Sequence, residues 1–403
     1  MTGQSLLAAA VLPLCFVHGQ WFDGTKFTGK SFCAEGGVLV QRQPRAGDRT
    51  IDLGGKFVVP PFGEAHNHNV DSGERLQSRI SAYLGAGVYY VKNPNNLPRT
   101  VPRDRVNQPR SIDAVFAQAS LTGPGGHPLD VMKRLIDRGV AKPEDADGGF
   151  YFVVRDAREL AGRWPAVLAN RPDFIKTYLL YSEDYARRKD DPAKAGWNGL
   201  DPALLPEIVA RARAAGLSVT THVETAADFR AAVAAGVDEI NHLPGFRPEK
   251  EDFSIFTSGR ARLTDADARA AARKGIVVVT TVGESIVMAR EQKQAAWLET
   301  IEHNLRTLHR NGVRLAIGSD DYGRGVVPEA MALASLGIFS NAELLRMWTE
   351  HTAAAIFPKR KIGRLRPGYE ASFLVLGANP LRSFAAVRTI ELRVKEGEIL
   401  SAK

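Results

Sequence analysis

A mixed α/β fold, built on an eight-stranded (β/α)8 barrel of the TIM type with a small β-domain assembled from both chain ends, is what this 403-residue sequence predicts. Three observations lead there. A unit of helix, Gly and short β-branched run repeats through the middle of the chain; eight strand-like runs can be counted in it; and patterns of short strands and turns occupy the two ends.

The N-terminal pattern comes first. Short apolar runs at residues 15–17, 24–27, 36–40, 49–53 and 57–59 are separated by Gly-containing turns, as in a small β-unit. The same pattern closes the chain at 363–365, 372–376 and 387–400. Residues 1–59 and 359–403 are therefore expected to form one composite β-domain around a barrel at 60–358.

Within 60–358 the repeat reads Gly87-Val-Tyr-Tyr-Val-Lys-Asn93, Gly216-Leu-Ser-Val-Thr-Thr-His222, Gly236-Val-Asp-Glu-Ile-Asn-His242, Gly275-Ile-Val-Val-Val-Thr-Thr281 and Gly312-Val-Arg-Leu-Ala-Ile-Gly-Ser-Asp320. Gly after the last helical turn supplies a left-handed cap, and the apolar run that follows suits a strand buried on both faces of a parallel sheet. Segments 57–69, 113–120 and 173–180 bring the count to eight strands, the number that closes such a barrel. Barrel chemistry sits at the C-terminal strand ends, and the polar residues of these runs fall there.

Composition narrows the function classes. Apolar residues at 44% and charged residues at 24% describe an ordinary folded protein and argue against disorder. The net charge of +8 comes from scattered Lys and Arg rather than a basic stripe, so nucleic acid is not expected as a partner. Two cysteines, Cys15 and Cys33, give neither a readable disulfide framework nor a cysteine zinc site, which leaves stability to the core. The apolar stretch 6–17 is too short to cross a membrane but long enough for a signal-peptide core. No Lys or Arg precedes it, and residues 15–22 read equally well as a strand, so cytoplasmic and exported locations both stay open, as does a homo-oligomer.

His66 and His68, in Pro60-Pro-Phe-Gly-Glu-Ala-His-Asn-His-Asn69, lie two apart at a strand end, so both rings point to one face. His222 and His242 each follow a capping Gly by six residues, which the repeat places at equivalent heights. Asp320 adds a carboxylate at the end of the eighth strand, where alternation can aim only one of Asp320 and Asp321 inward. Lys176 is a charge inside the apolar run 173–180, costly unless paired or chemically used. One reading is an ion pair with a barrel carboxylate; the other is an amine that takes up carbon dioxide as a metal-bridging carbamate. His303 and His309, in the helix before strand eight, and His351 after it read as solvated or packing residues.

The order His-x-His, Lys, His, His, Asp along a barrel resembles the amidohydrolase superfamily of metal-dependent hydrolases, in its binuclear, carboxylated-lysine branch and nearest its imidazolonepropionase-like and prolidase-like members. Trp21-Phe-Asp-Gly24 and the closing Ile362-Gly-Arg-Leu-Arg-Pro-Gly368 resemble the β-sandwich that flanks such barrels. The resemblance implies that His66, His68 and Asp320 bind one metal ion, that His222 and His242 bind a second, and that Lys176 bridges them as N6-carboxylysine. Zinc is the expected metal, with manganese, cobalt and iron admitted by the same donors. Two departures stand out: Glu64 replaces the usual acidic residue before His-x-His, commonly Asp, and Ala371-Ser372 replaces a common Ala-Asp.

The expected reaction is hydrolysis of an amide or cyclic-amide C–N bond of a small molecule by a metal-bridged hydroxide, with Asp320 as general base and then acid. His127, on the Gly-rich loop Thr122-Gly-Pro-Gly-Gly-His127, is assigned to catalysis and substrate binding, with Tyr178 on the face of Lys176 as a second candidate. Arg247 and Arg324 could hold a substrate carboxylate, as a prolidase-like dipeptidase or N-acyl amino acid hydrolase requires. An ester, lactone or phosphotriester hydrolase would use the same metal pair, a mononuclear deaminase-like site would not need Lys176, and an inactive scaffold would be expected to have lost ligands.

Overall fold

Each glycine of the repeat ends its helix as the sequence implies: Gly87, Gly216, Gly236, Gly275 and Gly312 all take left-handed backbone angles, φ between 69° and 78°. That conformation has no Cβ clash only in Gly, so it turns the chain from helix into strand at little steric cost. The helices so ended are Leu76–Gly85, Leu205–Ala214, Ala226–Ala235, Asp265–Arg273 and Ala295–Arg310. Thr225 and Thr264 start two of them with capping boxes closed by Asp228 and Asp267.

The computed structural model describes residues 12–402. Its contacts divide the chain into two units, one running to Pro61 and resuming at Arg360, the other spanning Phe62–Lys359. Residues 6–11 of the apolar N-terminal stretch lie outside the described residues. The rest of that stretch enters the strand Leu14–Phe22.

In the first unit, eight strands form one hydrogen-bonded sheet. Leu14–Phe22 pairs antiparallel with Phe27–Glu35 and parallel with Arg49–Asp52 and Phe57–Val59. Its core is aromatic, with Phe16 set edge-on to Phe373 at 4.7 Å between ring centres and Trp21 against Phe32 at 4.6 Å. Cys15 stands opposite Cys33 in this ladder and the two form a disulfide. This corrects the expectation that the core alone holds the unit. A separation of eighteen residues says nothing until strand register puts the two thiols face to face.

The second unit is mixed α/β. A seven-stranded parallel sheet runs in the order Tyr151–Val153, Ser120–Thr122, Ile175–Tyr178, Val219–His222, Glu239–Asn241, Val277–Val279, Arg314–Ala316. A second parallel sheet holds Phe62–Glu64, Val88–Asn93 and Asp113–Phe116. The expected run 113–120 is broken by Gln118, whose left-handed φ of 67° ends one strand and lets Ser120–Thr122 begin another. Tyr151–Val153 was not expected at all.

Backbone hydrogen bonds carry the arrangement past the sheet edges: Asp173 N donates to Phe116 O at 2.8 Å, Ala65 N to Ile317 O at 3.0 Å and Asp320 N to His66 O at 2.8 Å. The first strand is further fixed by Phe62 stacked on Trp348, 3.9 Å between ring centres, and by Trp348 Nε1 donating to Gly63 O at 3.0 Å. Gly318 lies close against the segment that follows this strand. A Cβ there would lie 2.7 Å from His66 N and 2.9 Å from His66 Cβ.

Gly318→Ala should therefore push the eighth-strand segment away from His66. Urea unfolding should show a loss of about 2 kcal/mol, the usual scale of core overpacking.

Candidate metal centre

All but one of the residues singled out from the sequence, drawn from six strands and the loops that follow them, line one cavity of about 380 Å3, whose walls include His66, His68, His127, Lys176, Tyr178, His222, His242, Arg247 and Asp320. His66 Nε2 lies 3.4 Å and His68 Nε2 3.1 Å from the same oxygen, Oδ1 of Asp320. The candidate donor atoms of these three residues all fall within 4.8 Å of one another. The His242 ring is 4.8 Å from that of His66 and 4.4 Å from that of His222, so the two groups of histidines are contiguous.

Local backbone shape does much of this aiming. His66 and His68 lie beyond their strand, which ends at Glu64, in a segment that bends into the cavity. His222 and His242 are not at equal heights, as the sequence spacing implied, because the ladder pairs His222 with Asn241. His242, one residue further on, adopts φ 73°, and Asp320 adopts φ 53°. Left-handed angles in non-glycine residues carry strain of about 1–3 kcal/mol, and they concentrate where surrounding structure holds a functional side chain in place. Asp320 is the carboxylate so aimed. Asp321 instead accepts from Arg324 Nε at 2.8 Å and from two backbone amides after it.

Several ring nitrogens are already tied. His242 Nδ1 meets Thr281 Oγ1 at 2.6 Å and His222 Nε2 meets Glu224 Oε1 at 3.0 Å, which leaves the other nitrogen of each ring for an ion and fixes the ring plane. His66 Nδ1 is buried without a hydrogen-bond partner among the described residues. A set of imidazoles, a carboxylate and a buried amine suits a borderline divalent ion such as zinc. The donor set therefore fits the metals that the sequence implies.

Lys176 is 1% exposed. Its Nζ donates to Asn241 Oδ1 at 2.5 Å, and Asn241 Nδ2 donates to Glu239 Oε1, which in turn sits on a carboxylate paired with Lys92 at 2.9 Å. Among the described residues no carboxylate forms an ion pair with Lys176 itself. Burial pushes the Lys176 amine down to about 7, with Asp320 and Glu239 pulling the other way. Burial likewise drives His66 down to about 3. For Asp320, burial acts to raise the carboxyl, but His66 and His68 outweigh it and hold it well below the usual range.

Glu64 accepts from the backbone and hydroxyl of Ser319, both at 2.8 Å, and so links the first strand end to the segment that carries Asp320. Burial pushes Glu64 up to about 8 against those bonds. The replacement for the usual Asp is thus a positioning group.

His127 reaches the cavity because its loop lies against another backbone. A Cβ on Gly123 would come 2.3 Å from Gly199 O, and His127 N donates to Asn198 O at 2.8 Å. Asp130 holds His127 Nδ1 at 3.0 Å. Tyr178 stands opposite His222 in the ladder, its ring centre 4.9 Å from that of His127. Arg247 has its guanidinium 4.8 Å from the Trp197 ring and 5.1 Å from Phe246, and both its Nε and a terminal nitrogen donate to Glu224 at 2.8 Å.

Arg324 is the exception. Its side chain is 65% exposed, is held by Asp321, and is absent from the cavity wall, so the structure removes it from the substrate-binding set. A loop residue next to the eighth strand end can point either way, and the bond to Asp321 turns this one outward. His303, His309 and His351 bond to Leu263 O, Glu343 and Leu315 O, away from the cavity.

Sequence reading missed Glu224, Asn241, Thr281, Asp130, Phe246 and Tyr322. Glu224 could have been found: in His222-Val-Glu224 it is two residues from a histidine, and it is fully buried. Phe246 stacks on His242 at 4.1 Å and Tyr322 on His68 at 5.1 Å, contacts between loops that no spacing rule predicts.

Comparison with known proteins accords with this geometry. The sequence profile of the amidohydrolase family matches residues 192–400, just over half the chain. The chain is 26% identical over 375 residues to imidazolonepropionase of Pseudomonas putida strain GB-1, covering 84% of this chain and 83% of that one. Among solved structures it is similar to an amidohydrolase (TM-score 0.71, 21% identity, 97% of this chain and 99% of the other). It is also similar to a Xaa-Pro dipeptidase with bound methionine in its active site (TM-score 0.73, 17% identity, 97% and 100%). The chain belongs to the amidohydrolase family, hydrolases of C–N bonds, and is similar to its imidazolonepropionase-like and prolidase-like members.

Proposed function

We propose that this protein is a metal-dependent hydrolase that cleaves an amide or cyclic-amide C–N bond of a small, carboxylate-bearing substrate, in the mouth of a closed (β/α)8 barrel in a chain that also carries a β-sandwich domain. The observation that carries the reading is the convergence of His66, His68, Lys176, His222, His242 and Asp320 on one cavity. In this reading His66, His68 and Asp320 would hold one divalent ion, His222 and His242 would hold another, and the carbamate of Lys176 would serve as a ligand shared by both, zinc being the metal that suits the donors best. Bound there, divalent ions would supply a lowered pKa for water near neutral pH and Lewis acidity towards the scissile carbonyl.

Lys176 supports the bridging role by its surroundings. Its amine faces a neutral amide rather than a carboxylate. Attack of that nitrogen on the carbon of carbon dioxide forms the N–C bond, and loss of a proton gives the carbamate anion.

The chain's own groups then divide the work. Asp320, in contact with both His66 and His68, takes the proton of the attacking water at Oδ1 and passes it to the leaving nitrogen. His127, fixed by Asp130, and Tyr178 donate to the carbonyl oxygen as charge develops on it. Arg247, flattened against two aromatic rings and braced by Glu224, offers its remaining donors to the substrate carboxylate.

Four outcomes test this reading. Zinc-loaded protein assayed against N-acyl amino acids, dipeptides and cyclic amides should hydrolyse members of the set; failure on all of them while a lactone or phosphotriester is cleaved would move the reaction to those electrophiles. Asp320→Asn should lower kcat by roughly 10^3-fold, within the range for a general acid–base group. Nuclear magnetic resonance with 13C-bicarbonate should show a carbamate signal in the wild type that Lys176→Ala lacks. Arg247→Met should raise KM about tenfold for carboxylate substrates, the scale of one charge-assisted hydrogen bond, and change it little for a neutral amide.

A further inference from the structure

The cavity wall is mixed, part polar and part apolar. Away from the histidines, its wall carries an apolar patch of Leu97, Val131, Leu135, Val140 and Phe150, all from the segment between the strands Val88–Asn93 and Tyr151–Val153, beside the polar Asp71, Asn95, Asn96 and Thr100. The helix Leu129–Asp137 explains how the wall is built. Met132 turns into a small apolar cluster with Leu97, Ala141, Phe150 and Tyr151, which anchors the helix. Val131 and Leu135, four residues apart and so on one face, stay only partly covered, and Val140 just beyond the helix is 60% exposed.

Lone exposed apolar residues need no explanation, but several lining one concavity mark a place where a ligand removes them from water. The charges in this part of the wall are engaged within the protein: Arg134 with Asp130 at 3.1 Å, Arg79 with Asn69 O, and Asp71 as acceptor from Asn96 Nδ2 at 2.6 Å.

We propose that Leu97, Val131, Leu135, Val140 and Phe150 form a subsite for an aliphatic or aryl group of the substrate, so that the preferred amides carry a bulky apolar substituent beyond the scissile bond. The inference rests on this cavity being the substrate site. The helix that presents Val131 and Leu135 also carries Asp130, the partner of His127. An apolar group seated on that face therefore packs against the element that orients His127, which lets remote binding act on the reacting end.

Binding tests this without requiring turnover. Titration calorimetry of zinc-loaded, full-length protein with acetate, butanoate, hexanoate and 4-phenylbutanoate should show Kd falling about three- to fourfold per methylene. Val140→Asp, at an exposed position, should keep the wild-type melting temperature and flatten that series; Leu135→Ser should flatten it as well. A chain-length-independent Kd in the wild type would overturn the subsite, as would a gradient that survives in both variants. The two readings fail separately. A gradient with no amide hydrolysed leaves the subsite standing and removes the reaction, whereas amide hydrolysis without a gradient does the reverse.

Discussion

Burial of Lys176 is the constraint on which the rest of the site depends. An ammonium group removed from water costs several kcal/mol unless it is paired, and this one meets the carbonyl oxygen of Asn241 and the face of the Tyr178 ring at 5.1 Å, with no carboxylate in an ion pair among the described residues. The amide passes the interaction to Glu239, which Lys92 neutralises from the other side, so a line of buried polar groups runs from the cavity into the interior of the second unit. Such a line is stabilising only when every member is satisfied. That requirement explains why the strands Ile175–Tyr178 and Glu239–Asn241, which flank Val219–His222, carry polar side chains among their β-branched residues.

Around Lys176 the protein holds its histidines by different means. Glu224 fixes His222, Thr281 fixes His242, and Glu64 ties the His66 segment to Ser319, one residue before Asp320. Two of these ties use a side chain from another strand end; Glu224 comes from the same end as His222. The left-handed turns at His242 and Asp320 then aim the two groups inward at a cost the surrounding ladder absorbs. The same carboxylate of Glu224 also braces Arg247, which couples the candidate metal centre to the group assigned to substrate.

Much of this was legible in the sequence, and for a physical reason. A helix that ends in Gly and runs into a β-branched strand is a local signal, so the five glycine caps and eight strand segments could be read directly. Histidines at strand ends inherit their convergence from the repeat, which is why His66, His68, His222 and His242 emerged together. What depends on register was hidden. The Cys15–Cys33 bond, the one-residue offset between His222 and His242, and the break at Gln118 exist only once strands are paired. What depends on loop packing was hidden too: Arg324 turns outward onto Asp321, while Phe246 and Tyr322 close over His242 and His68.

The central claim is that the six convergent residues form a two-metal centre. Elemental mass spectrometry of protein purified without chelators or a histidine tag measures it directly. The account predicts about two divalent ions per chain, as the two-ion form of metal catalysis requires. A chain that holds none after zinc is resupplied would contradict it.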